Sequence, residues 1–127
     1  MPEAIPDDIR QFILQTIDSI AQWEGLLLLR DHPQERWDAP ALAKNLYVSE
    51  SDAAALLRQL ANQGFLTVIQ PGSTVHFQYQ PAAELERITT RTAEFYKKGL
   101  IPVTNLIHSK SKNRIQEFAD AFKIRKD

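Results

Sequence analysis

His32, His76 and His108 are the only imidazoles of the chain, and more than thirty residues separate each from the next. A metal site needs ligands that converge, ordinarily from short spacings with cysteine or carboxylate neighbours. None of the three has such company and there is no cysteine at all, so neither a metal nor a cofactor is expected, and disulfides and thiol nucleophiles are excluded. Asp7 with Asp8, and Glu84 with Glu86, sit where helices begin, and their charge suits the positive helix end better than it suits an acid/base pair. No phosphate-cradling glycine loop, nucleophile elbow or dinucleotide turn occurs. An enzyme is not expected. The residues left over are of the recognition kind, and they gather in the stretch VSESDAAALLRQLANQGFL, residues 48–66.

The elements that must position that stretch belong to a chain of 127 residues with 43% hydrophobic and 24% charged residues, the size and balance of one globular domain. MPEAIPDDIR lacks the basic start and apolar run of a secretory signal. The longest apolar block, LLLL at 26–29, is too short to cross a bilayer, so a cytoplasmic protein with no membrane partner is expected. The net charge of −1 conceals a division. Residues 1–86 hold five Lys/Arg against twelve Asp/Glu, a net −7, and residues 87–127 hold ten against four, a net +6. Such asymmetry suits either a basic tail for an acidic partner or two parts, of one molecule or of a dimer, that attract each other.

Apolar residues recur at helical spacing through Ile9, Phe12, Ile13, Ile17, Ile20 and Ala21, predicting a helix from near residue 7. It is expected to continue through WEGLLLLRDHP, with a bend at Gly25, and to stop before Pro33. RWD reads as a short strand, Asp38 as the cap of APALAKNL with Pro40 in its first turn, and Ser49 as the cap of ESDAAALLRQLANQ. Gly64 ends that helix. FLTVIQ and VHFQYQ alternate about PGST as a β-hairpin, with Val75, Phe77 and Tyr79 inward. From Pro81 the helical pattern returns through Leu85, Ile88, Thr92, Phe95 and Tyr96 to Val103, Leu106 and Ile107, with a kink or break expected at Gly99 and Pro102. The polar HSKSKNR precedes IQEFADAFKIRKD, where Ile115, Phe118 and Phe122 mark one apolar face.

Helix, short strand, helix, turn, helix, hairpin is the order of a winged helix-turn-helix. Leu42, Ala43, Leu46 and Val48 supply the inward positions before the turn, Ala53, Leu57 and Leu60 those after it, and QGFL joins the last helix to the hairpin. Over about residues 17–81 the chain resembles winged-helix transcriptional regulators. The segments GLLLLRDHPQERWDAPALAKNLYVS, EFYKKGLIPVTNLIHSK and IQEFADAFKIRKD extend the resemblance to a group of small bacterial winged-helix proteins described only as regulators. The fold class expected is mainly α (α+β): residues 1–81 as the winged domain with its N-terminal helix, 82–109 as a long helix, and 110–127 as a basic linker with a short amphipathic C-terminal helix.

If the fold is used as its commonest members use it, the helix after the turn enters the major groove and presents Ser49, Glu50, Ser51, Ala54, Ala55 and Arg58, while Gln70, Ser73 and Thr74 of the wing meet backbone or minor groove. The leading expectation is therefore a transcriptional regulator contacting duplex DNA. Against it, affinity for DNA rests on neutralising phosphates, and the presumed reading helix sets Glu50 and Asp52 against Arg58 alone. The competing reading is an adaptor whose acidic winged helix binds another protein. Residues 82–109, about 28 residues spanning about 42 Å as a helix, would serve either a homodimer, the favoured arrangement, or a fold-back over the first helix within one subunit. Ile115, Phe118 and Phe122 would anchor the C-terminal helix on a partner, on the sister subunit or on the chain itself.

Overall fold

In the computed structural model, which describes residues 4–70 and 72–110, Asp7 and Asp8 open helix α1, Asp7–Thr16, whose Ile9, Phe12 and Ile13 are buried. The helix does not run on. Ile17 turns extended (φ −100°, ψ 117°), and Ser19 starts α2, Ile20–Asp31, by accepting a hydrogen bond from the Gln22 amide at 3.0 Å. The single bent helix expected up to Pro33 is therefore two helices, because a serine that caps competes better at this point than continuation of the helix does. Gly25 lies inside α2 rather than at a bend. A Cβ there would come within 3.3 Å of Leu46 Cδ1, so the glycine lets the next helix approach closely.

That next helix is α3, Ala39–Leu46, capped by Asp38, whose Oδ1 accepts from the Ala41 amide at 3.0 Å. The turn into α4, Glu50–Asn62, passes through Tyr47 in the left-handed region (φ 58°, ψ 43°). Ser49 then caps α4 by accepting from the Asp52 amide at 3.0 Å. Gly64, at φ +93°, ends this helix in a backbone state that only glycine enters without cost. Trp23, Leu26, Leu29, Leu42, Leu57, Leu60 and Phe65 are all fully buried, so α2, α3 and α4 close round one core; of the four leucines of α2, Leu26 and Leu29 are in it and Leu27 and Leu28 pack partly buried against it.

The wing is an antiparallel pair, β1, Leu66–Ile69, and β2, His76–Tyr79, in register Leu66 to Tyr79 through Ile69 to His76. The short strand expected over RWD is reduced to a single bridge: the Trp37 backbone N–H donates to Phe77 O, and the Phe77 N–H donates back to Trp37 O, both at 2.7 Å, beside a sheet of two strands. Phe77 and Tyr79 are buried, but Val75, expected inward with them, is 38% exposed. Strand pairing begins only at His76, so nothing in the sheet holds Val75 down.

α5, Ala83–Lys98, crosses back over α1 and α2. Its Tyr96 meets Trp23 edge to face at 5.7 Å, and Arg91 Nε donates to Asp8 Oδ2 at 2.6 Å. Two threonines lie fully buried in its apolar stripe, tolerated because Thr89 and Thr92 donate to the carbonyls of Leu85 and Ile88 at 2.6 and 2.8 Å. The helix breaks at Gly99 and resumes as α6, helical over 100–110, with Val103 and Ile107 buried. Within one subunit, then, the extension does fold back over the first helix. Ile115, Phe118 and Phe122 lie outside the described residues.

Candidate nucleic-acid interface

One side of α4 is spent on the core and the other is free. Ala53, Leu57 and Leu60 are fully buried; Glu50, Ser51, Ala55 and Arg58 are exposed, and Ala54 is half-buried between the two sides. Ser49 is exposed, but its hydroxyl oxygen is already committed to the cap. Arg58 forms no ion pair among the described residues, which leaves its guanidinium for an external acceptor.

The wing contributes in two ways. Val75, at the turn end of the hairpin, and Phe77 of β2 face α3 and α4 across an apolar groove of about 250 Å³ lined also by Ala39, Ala54 and Arg58. The wing tip carries Gln70, Ser73 and Thr74, all exposed about a turn in which Gly72 takes φ +74°. Ala54 and Arg58 are thus brought together with Val75 and Phe77 of the wing, while Gln70, Ser73 and Thr74 do not line that groove.

Two features escape sequence reasoning. Tyr47 is 95% exposed in the turn ahead of Ser49. Its neighbours Leu46 and Val48 both pack against the core, and that apolar, x, apolar pattern was the available sign that the ring between them points outward. Val75 is expected in the core from strand alternation, whereas it walls the groove.

Charge is distributed more favourably than the −7 of residues 1–86 suggests. Residues 36–80, which hold α3, α4 and the wing, carry Arg36, Lys44 and Arg58 against Asp38, Glu50 and Asp52, a net of zero. The acidic excess belongs to the segments on either side, α1 and α2 before it and the start of α5 after it. Glu50 and Asp52 stabilise the positive end of α4, and an exposed carboxylate in a major groove can accept from a cytosine amino group. Among the described residues no three His, Asp or Glu side chains gather closely enough to hold a metal ion, and no helix is long and apolar enough to cross a membrane.

No protein-family model matches the chain, and no curated protein matches it in sequence. Solved structures do resemble it in fold. The adhesin competence repressor of Streptococcus pyogenes shares 18% identity at a TM-score of 0.52, over 87% of this chain and 82% of that one. A MarR family protein from Bacillus stearothermophilus shares 17% at 0.53, over 91% and 77%. A mutant of MepR from a multidrug resistant S. aureus clinical isolate shares 12% at 0.55, over 95% and 88%. Together with the order of elements these likenesses establish the fold as a winged helix-turn-helix, mainly α with a β-hairpin wing.

Proposed function

We propose that the chain is a cytoplasmic transcriptional regulator that binds duplex DNA as a homodimer, with α4 in the major groove and the wing against the adjoining backbone. The observation that carries this reading is the free arc of α4, Glu50, Ser51, Ala54, Ala55 and Arg58, set on a unit of zero net charge with an unpaired guanidinium at its centre. The structures it resembles include proteins described as repressors, which supports the same use of the fold. Arg58 is the guanine- or phosphate-binding group, Glu50 the cytosine acceptor, and Ala54 and Ala55 suit the thymine methyl. Gln70, Ser73 and Thr74 supply neutral donors to phosphate.

The test is binding of the purified protein to random-sequence duplex at low and at physiological salt. Micromolar binding that weakens steeply with salt is expected. Arg58→Ala should lower that affinity: loss of one phosphate contact flattens the salt slope by about one, and loss of a guanine contact costs about 1–3 kcal/mol at a selected site. Affinity and slope that stay unchanged in Arg58→Ala would overturn docking through α4. Absence of binding at low salt would overturn the regulator reading.

A further inference from the structure

α4 is fastened at its far end, through Gln59 and its C-cap Gln63, by a polar cluster that neither its Ser49 cap nor its core face explains. At the joint between α1 and α2 the Thr16 carbonyl accepts from both Gln22 Nε2 and Gln63 Nε2 at 2.9 Å. Gln22 Nε2 also donates to Gln63 Oε1 at 3.0 Å, and the Asp18 amide donates to Gln22 Oε1 at 2.6 Å. Gln22 is fully buried, and turning either amide over would set N–H against N–H, so each orientation is fixed by the others.

A second path runs alongside. Lys110 of α6, its side chain 10% exposed, pairs with Asp18 Oδ1 at 3.0 Å. The same ammonium donates to the carbonyls of Ile13, which also accepts from the Ile17 amide, and Ile17 at 3.3 and 3.0 Å, closing the negative end of α1. The other carboxylate oxygen, Oδ2, accepts from Gln59 Nε2 of α4 at 3.0 Å. Lys110 and Gln59 are thus joined through one carboxylate, and α6 is joined to α4.

We infer that Lys110 and Asp18 are positioning residues for the reading helix: through Gln59, and with Gln22 and Gln63 beside it, they fix the angle at which α4 is presented to DNA. The inference rests on the reading of α4 as the DNA-contacting helix. Gln59 and Gln63 leave α4 on the flank between its buried face and its free arc, where a restraint sets rotation about the helix axis without occupying the contact surface. A partner that displaces α6 would act on α4 by the same route.

The test is a double-mutant cycle in the full chain with Lys110→Met, Gln59→Met and both together. It is read by hydrogen exchange of the α4 amides and by duplex affinity across salt. Each single change is expected to lower α4 protection, and the double change to do no more than the larger single one, because both cut the same chain. Duplex affinity should fall about two- to thirtyfold with an unchanged salt slope, since neither residue touches phosphate. If Lys110→Met does not fold, Lys110→Gln keeps a donor for the α1 carbonyls while giving up the ion pair, and it stands in the same cycle. Additive losses, or α4 exchange unaffected by the change at Lys110, would overturn the clamp. A changed salt slope would make Lys110 a phosphate contact instead and overturn it too. If the wild-type chain binds no duplex, the regulator reading fails while the exchange cycle still decides the clamp.

Discussion

Tyr47 stands at φ 58° with its ring 95% in solvent, a placement unfavourable twice over for an aromatic residue. The left-handed region costs a residue with a Cβ about 1–2 kcal/mol, and an exposed ring gains little from burial. Turns of this kind take glycine or asparagine more readily. A side chain kept at such a cost beside the cap of α4 fits a contact made outside the protein, and a tyrosine hydroxyl is a neutral donor to phosphate. The expected outcome is a separation of stability from binding. Tyr47→Gly should be at least as stable as the wild type in thermal melts and more stable than Tyr47→Ala by about 1 kcal/mol. Both variants should bind duplex more weakly, and Tyr47→Phe should isolate the share owed to the hydroxyl. A Tyr47→Gly protein that binds as the wild type does would leave Tyr47 without a role at the interface.

At the scale of elements, α1 and α5 are tied by Asp8 and Arg91, with contacts at 2.6 and 3.3 Å. The hydrogen bond from Arg91 holds the Asp8 carboxyl below its usual range, against a smaller opposing push from desolvation. Because the folded value is depressed, this pair contributes stability above the unfolded carboxyl value of about 3.9. That contribution is lost as pH falls through the still lower folded value. The melting temperature of Asp8→Asn should therefore lie below the wild type at pH 7, and the gap should close as the pH is lowered below about 4. A gap that persists in acid would mean that the variant disturbs packing rather than an ion pair. The reach of the sequence can be judged on the same elements. The caps Asp38 and Ser49, the stop at Gly64 and the break at Gly99 were legible because each is a local backbone preference written in one residue. The joint between α1 and α2 was written there too, in Ser19-Ile-Ala-Gln22, a serine followed three residues later by glutamine. Apolar spacing through Ile17, Ile20 and Ala21 masked it, and Ala21 turns out to be exposed. The meeting of Lys110 with Asp18 was not legible, since no local pattern specifies which residues 92 positions apart come together. The face of α4 could be read from its period, whereas the outward turn of Val75 depended on where strand pairing began.

For the whole molecule, the question is what covers α6. Leu100 and Ile101 are 53% and 68% exposed at its start, and Leu14 of α1 is 39% exposed. Val103 and Ile107, further along the same helix, are fully buried within the subunit. Two adjacent large aliphatic residues left in water cost about 25 cal/mol for each Å² that a partner would cover. A second copy of the chain is the partner that also serves the proposed function, because a two-fold pair presents two α4 helices to two half-sites. The molecule's charge is compatible with the same assembly. Residues 1–86 at −7 and residues 87–127 at +6 attract each other across an interface as readily as within a chain. The expected result is that the wild type sediments as a dimer at micromolar concentration and that Leu100→Glu with Ile101→Glu sediments as a monomer of unchanged helix content. The monomer should bind duplex about a hundredfold more weakly, as two linked sites become one. It should retain the salt slope of a single half-site, with Arg58 still contributing to it. A double variant that keeps the wild-type mass would place the subunit contact elsewhere, and one that becomes monomeric yet binds duplex undiminished would show that each winged domain acts alone.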